Sequence, residues 1–272
     1  MAYTFGAATG DDISWTESGT AWGTNGQAGL ICGWWYPTTG PTATRCLWSV
    51  GTVHRCEIAT TTSELQIVSD RVTTDSVYQT SGFGLALNQW FFIAVLLSWA
   101  NAAAFPAIRV WKSTGLDVPQ LVTCNNTTAG SGNMTTSTAP SIGNLGTAGT
   151  VAFQGDIGRF DLICSTVSAS LTRNASGTIS ADEEFQIWTQ YVVPIWAGNF
   201  PTLLNSGTNS NNGITHVAVD LDDSPAYGRR VRNGATIITQ GQAVTVSGAT
   251  VSANRAPIKT FRPVEWPDLM RR

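Results

Sequence analysis

The stretch Asn88-Gln-Trp-Phe-Phe-Ile-Ala-Val-Leu-Leu-Ser-Trp99 carries no polar residue between Trp90 and Leu97. Successive side chains of a strand point to opposite faces, so this run is apolar on both. That predicts a central strand covered on both sides. The apolar stretch from Trp90 to Ala104 is too short to cross a bilayer, which takes about 20 residues as a helix.

A central strand needs neighbours, and the flanking sequence supplies them. Gly29 to Tyr36 reads as a strand stopped by Pro37. Ala107 to Lys112 is another strand, Gly115 to Pro119 a turn, and Gln120 to Cys124 the return. Thr44 to Val50 and Val53 to Thr60 form a hairpin about Gly51 and Thr52. Centred on Gly51, that hairpin sets Cys46 opposite Cys56 and Trp48 opposite His54, with Arg55 and Glu57 on the other face. Glu64 to Asp70 alternates as a half-buried strand. Residues 125–150 read as polar loops around a short strand at Ser141 to Asn144. Ala152 to Cys164 is a strand bent at Gly155 and Gly158, which sets Asp156 and Asp161 on opposite faces if it is regular. This rhythm of short apolar runs between Gly, Thr, Ser, Asn and Pro predicts an all-β sandwich of two antiparallel sheets.

One helix interrupts the pattern. Ser180 is its N-cap and Glu183 closes a capping box. Phe185, Trp188 and Val192 are expected to pack on the sandwich, and Pro194 to end the helix. After residue 198 the composition changes. Short strands are expected at 214–220, 235–240 and 243–251. The segment 255–272 holds prolines at 257, 263 and 267 together with Phe261, Trp266, Leu269 and Met270. It reads as an extended arm docking apolar anchors. The expected division is a sandwich over 1–198 and an extension over 199–272.

Composition narrows the function. Charged residues are 12% of the 272, only two are lysine, and the net charge is −3. No basic excess is available to grip phosphates, so nucleic acid is not an expected partner, nor is a membrane. Met1 to Gly6 shows no secretory pattern. The five cysteines are widely spaced without a C-x-x-C, which argues against structural zinc. Cys46 and Cys56, set opposite each other, would permit a bridge. No Gly-x-Ser-x-Gly or phosphate loop occurs, and His54 and His216 are the two histidines. His54 reads as a packed side chain rather than a base.

Four short motifs, in order, resemble the concanavalin A-like lectin/glucanase superfamily in its laminin-G-like form. They are Gly33-Trp-Trp-Tyr36, Asn88-Gln-Trp-Phe-Phe-Ile-Ala-Val95, Ser141-Ile-Gly-Asn144 and Phe153-Gln-Gly-Asp-Ile-Gly-Arg-Phe160. The likeness covers about residues 5–192. It implies a jelly-roll sandwich and no single function. Hydrolases of that fold resemble one another in a Glu-x-Asp-x-x-Glu strand, which is absent here, so no catalytic residue and no enzymatic activity are expected. The resemblance raises calcium, for which Asp11, Asp12, Asp156, Asp220, Asp222 and Asp223 are candidates. Turn formation explains them more simply, so the expectation is no metal and no cofactor.

The Thr/Ser/Asn/Gly-rich, low-lysine style of the chain resembles laminin-G-like modules found in tailed-bacteriophage structural proteins. The reading that follows is a non-enzymatic virion protein, a capsid decoration (cement) protein that binds the major capsid protein or other virion proteins. It would be made in the host cytoplasm and would form a homo-oligomer of closed symmetry, such as a trimer. Phe261, Trp266, Leu269, Met270, Arg229, Arg230 and Arg232 are the expected interface. The alternative is a carbohydrate-binding module, for which Trp15, Trp22, Trp99, Trp111, Trp196 and Trp266 are the unassigned tryptophans that could form a sugar platform.

Overall fold

The computed structural model describes residues 2–6, 11–15, 27–40, 44–60, 62–99, 107–137, 139–145, 151–165, 179–198, 214–220, 227–232, 240–242, 245–254 and 256–257. Among these, the strands form two antiparallel sheets, numbered here in chain order. The larger runs β10 (Gln120–Val122), β9 (Ala107–Thr114), β8 (Phe91–Trp99), β3 (Gln27–Pro37), β13 (Gly155–Ser165), β14 (Ile214–Asp220), β15 (Tyr227–Arg232) and β16 (Gln240–Gln242). On the first residues of β13 it adds β1 (Ala2–Phe5), and outside β1 lies β18 (Thr250–Ser252). The smaller runs β11 (Cys124–Thr128), β7 (Ser76–Thr80), β6 (Leu65–Ser69), β5 (His54–Ile58), β4 (Arg45–Val50), β12 (Pro140–Ile142), β2 (Asp12–Ser14) and β17 (Thr245–Ser247). This is the expected all-β sandwich of two antiparallel sheets with a short helical element. Strands from beyond residue 198 complete both sheets, through β14 on β13, β17 on β2 and β18 on β1.

The core between the sheets takes one face of each. Trp35, Phe91, Ile93, Val95, Ile157 and Phe160 meet Trp48, Ile58, Ile67, Tyr78 and Ile142 there. The other face of the larger sheet is equally apolar, with Trp34, Phe92, Ala94, Leu96 and Trp111 buried on it. The two-faced reading of residues 90–97 therefore holds. Gly143, in the Ile-Gly motif, has φ +83°, and a Cβ there would stand 2.4 Å from the Phe5 ring. Glycine supplies both the left-handed backbone and the space.

Four expectations change. The hairpin pairs Val50 with His54 and Trp48 with Cys56, so its loop is Gly51 to Val53 and not a turn centred on Gly51. A bulge between Cys46 and Trp48 then sets Cys46 against Glu57. Cys46 and Cys56 are free thiols, as are Cys32 and Cys124, and the Cys46 Sγ–H donates to the Trp48 carbonyl at 3.2 Å. Residues 124–128 are an edge strand rather than a loop. Their ladder on β7 satisfies the backbone while the polar side chains face water, so no apolar period marks them.

The third change is in β13. Between Ile157 and Phe160 it advances three residues while β3 advances two, from Trp35 to Gly33. This bulge shifts the alternation by one residue. Asp156 and Asp161 therefore share the outer face instead of opposing each other.

The fourth concerns the helix. The capping box of Ser180 and Glu183 forms, and α1 (Ala181–Ile187) follows. Helical turns then continue past Pro194, through a π-helical turn (Trp188–Val192) into α2 (Val193–Trp196). A proline ring clashes with the carbonyl four residues back, and a wider turn relieves that clash. The π turn also rotates the face that meets the sheet. Ile187, Tyr191, Val192, Ile195 and Trp196 are buried on it, Trp188 is half-buried, and Phe185 is 63% exposed.

His54 is buried, as read, with Nδ1 3.1 Å from Ser69 Oγ and Nε2 3.1 Å from the Thr135 carbonyl. Burial, with Arg71 nearby, outweighs Asp75 and the Thr135 contact and lowers its pKa from 6.5 to about 4. The unfolded chain takes up this proton below pH 6.5, whereas the folded chain resists it until about 4. Stability from this group is complete above pH 6.5 and is lost as pH falls towards 4, by roughly 3 kcal/mol. Urea unfolding across that range should show this decline, and His54→Gln should flatten it.

Candidate functional site

The outer face of the larger sheet is covered in its middle. The helical segment covers β3 and β8, and residues 252–254 and 256–257 lie beside it. Asp156 anchors that stretch. Its Oδ1 accepts from the Thr4 hydroxyl at 2.5 Å and its Oδ2 from the Asn254 side-chain amide at 2.7 Å. The Asn254 Oδ1 accepts in turn from Trp90 Nε1 at 3.2 Å. Ala256 then packs over Gly158, where a Cβ would lie 2.8 Å from the Ala256 methyl carbon. Next to this strip Arg159 holds Asp161 through two bonds, at 2.6 and 2.8 Å, with both side chains buried.

These partners decide the carboxylate question. Asp156 and Asp161 share a face, but Asp161 is held bidentately by a guanidinium and both Asp156 oxygens are used as a clasp. Neither is placed as the acid or base of a glycosidase pair. Asp11 Oδ2 accepts from the Gly6 amide at 2.6 Å, and its Oδ1 lies where a Cβ on Gly248 would clash. Asp12 is buried with Oδ2 unbonded, and burial, with Asp11 adding to it, raises its carboxyl above the usual range. Calcium needs six or more oxygens. Among the described residues no three His, Cys, Asp or Glu side chains group to hold a metal ion. Asp220 lies on β14 with its side chain outside the described residues, as do Asp222 and Asp223 entirely.

The smaller sheet presents a polar outer face. Glu57, Gln66, Gln79 and Asn125 stand in register across β5, β6, β7 and β11. Arg55 Nε donates to Glu57 Oε1 at 2.8 Å beside this row. The expected tryptophan platform is not found on it. Trp15, Trp111 and Trp196 are buried, and Trp22, Trp266 and the Trp99 side chain lie outside the described residues.

Besides Val72, Leu87 and Val251, the exposed large apolar side chains of the described residues lie elsewhere. The hairpin joining β9 and β10 exposes Leu116 and Val118, and Leu121 is exposed on β10. Trp188 Nε1 donates to the Pro119 carbonyl at 2.8 Å, which ties the helix to this hairpin. Phe185 stacks on Trp188 with ring centroids 6.0 Å apart. Arg109 Nε donates to Glu184 Oε2 at 2.5 Å and fixes the helix from below. The result is a patch of Leu116, Val118, Leu121 and Phe185 beside the half-buried Trp188, with exposed Asp117 and Asp182 around it. Scattered apolar residues are ordinary on a surface, whereas a contiguous set marks an interaction site. Sequence reading passed over this patch. Its signal was two apolar residues inside a turn, Gly115-Leu-Asp-Val-Pro119.

Of the expected interface, Phe261, Trp266, Leu269 and Met270 lie outside the described residues. Arg229, Arg230 and Arg232 fall on β15, a strand paired with β14, with their side chains outside the description.

No protein-family model and no curated protein matches the chain. Among solved structures, a heptameric SAP-like pentraxin from Limulus polyphemus has a TM-score of 0.41 and 9% identity, over 59% of this chain and 74% of that one. Domains LG4-5 of the mouse laminin alpha1 chain give 0.41 and 10%, over 59% and 41%. A protein proposed to bind carbohydrate, from Bacteroides ovatus, gives 0.48 and 11%, over 94% and 61%. The last two matches take in less than two thirds of those chains. The two-sheet architecture stands on the strand pairing itself.

The clasp can be tested directly. Asp156→Ala leaves the Thr4 hydroxyl and the Asn254 amide without their acceptor. It should lower unfolding free energy by about 2–4 kcal/mol in urea titrations. Amide exchange should speed up first at residues 250–254.

Proposed function

We propose that this chain is a non-catalytic assembly protein that works by docking an apolar patch on a partner protein. The observation that carries the reading is the cluster of Leu116, Val118, Leu121, Phe185 and Trp188 at the edge of the larger sheet. The carboxylates that chemistry would need are bonded internally, which supports a passive role. Within the resemblance to phage modules, the partner is the shell of a tailed bacteriophage and the protein is a decoration protein. It would stabilise the particle by binding only the assembled form. Apolar anchors and few lysines suit such an interface.

Peptide mass spectrometry of purified particles from the source should count hundreds of copies per particle. Absence from particles would sink the virion reading. Leu121→Asp should weaken association with the partner at least tenfold, about 1.4 kcal/mol, without lowering Tm.

One observation favours a second reading, glycan binding. The row of Gln66, Gln79 and Asn125 presents side-chain amides of the kind that bond sugar hydroxyls, next to the Arg55–Glu57 pair. Calorimetric titration with oligosaccharides should give saturable heat that Gln79→Ala abolishes if this face binds sugar. A flat response would remove this reading.

A further inference from the structure

We propose that the apolar patch seats a cationic segment of the partner protein, in which an arginine or lysine lies on the exposed Phe185 ring, with Asp117 and Asp182 as its counter-charges and apolar side chains to either side. The proposal rests on the docking role of that patch and adds the chemistry of what docks there.

Three observations converge. The first is charge. Asp117 stands between Leu116 and Val118 at the tip of the β9–β10 hairpin, and all three are exposed. Asp182 is exposed in the first turn of α1, three residues before Phe185, a spacing that sets both on one face of the helix. Neither carboxylate has an ion-pair partner among the described residues. The guanidinium of Arg109, which meets the helix from β9, is taken by Glu184 and by the carbonyls of Ile108 and Ile179. The capping box likewise uses Ser180 and Glu183 and leaves Asp182 free of it. A neutral or acidic partner would bury two uncompensated charges, which is costly, whereas a cationic one neutralises them.

The second is the aromatic pair. The Phe185 ring is open to solvent and tilted 31° against that of Trp188, whose Nε1 is fixed on the Pro119 carbonyl. The face of such a ring attracts a cation brought within about 6 Å of its centroid. Arginine serves best, because its planar guanidinium stacks on the ring and still bonds a carboxylate. The third is the apolar remainder. Leu116, Val118 and Leu121 are exposed on the hairpin and its returning strand. A purely basic partner would leave them in water, and a purely apolar one would desolvate the carboxylates without pairing them. A segment that sets a cation among apolar side chains satisfies both, and arginine beside aromatic anchors is the composition of tight interface centres.

The test pans a random peptide library on the full chain. The counter-selection is the Leu116→Ser, Leu121→Ser variant, which is uncharged at the changed sites and so draws no cations of its own. Survivors bind the patch. The expected survivors combine Arg or Lys with Trp, Phe or Leu. Their affinity should fall about tenfold in the Asp117→Asn, Asp182→Asn variant at unchanged Tm, and should weaken as salt is raised. Phe185→Leu keeps the apolar area but removes the ring, and should cost several-fold. Survivors without cations, survivors indifferent to the loss of both carboxylates or of the ring, or no enrichment would overturn the seat. So would a dimer of the free chain that Leu121→Ser abolishes in sedimentation, since a second copy would then occupy the patch. The panning uses no particle. Absence of the protein from particles removes the virion reading and leaves the seat standing, whereas uncharged survivors remove the seat and leave that reading standing.

Discussion

A sheet with two apolar faces cannot be buried by one partner sheet. This constraint governs the molecule. Strands β3 and β8 carry Trp34, Phe92, Ala94 and Leu96 on the face turned away from the sandwich core. Leaving them in water would forgo roughly 1.5–3 kcal/mol for each large side chain. The helical segment and residues 252–254 and 256–257 supply the third layer. The π turn is the local adjustment that keeps Pro194 within the helical segment while Tyr191, Val192, Ile195 and Trp196 reach the sheet.

The same constraint brings the end of the chain back to its beginning. The outer face needs a cover near Trp90, and Asn254 with Ala256 provides it. A carboxylate under such a cover must be bonded, and Asp156 is, by Thr4 and Asn254. The bulge at Gly158 and Arg159 is part of this arrangement. It puts Asp156, Arg159 and Asp161 on one face, where the buried ion pair is satisfied through two short bonds. A regular strand would have driven one of these carboxylates into the apolar core. The two acids that a regular strand would set on opposite faces share one face, as a clasp and an ion pair.

The cover stops short of the sheet's edge. Beyond Trp111 lie Leu121 and the hairpin tip, and there the apolar surface meets water beside Phe185 and Trp188. Edge strand β10 is short and β11 is polar, which keeps the sheet margins from pairing with other chains. Interaction at this end is therefore left to side chains rather than to strand addition.

The sequence by itself determined the sandwich, because two-residue alternation, the unbroken apolar run at 90–97 and the turn residues are local signals of a strand's surroundings. It also determined the helix start, since a capping box is contained within four residues. It showed His54 as a packed side chain through its neighbours on the hairpin. The tertiary structure alone decided the rest. A bulge is set by the register of the neighbouring strand, so neither the phase of Asp156 and Asp161 nor the partner of Cys46 is written in either strand alone. The buried side of the helix depends on the turn that Pro194 forces. The edge strand at 124–128 is held by its partner's backbone, which no side-chain pattern records. The patch joins residues 116–121 to residues 185–188, distant in the chain and brought together by one bond from Trp188 to Pro119. Local sequence encodes what a residue prefers, and only the packed chain decides what it meets.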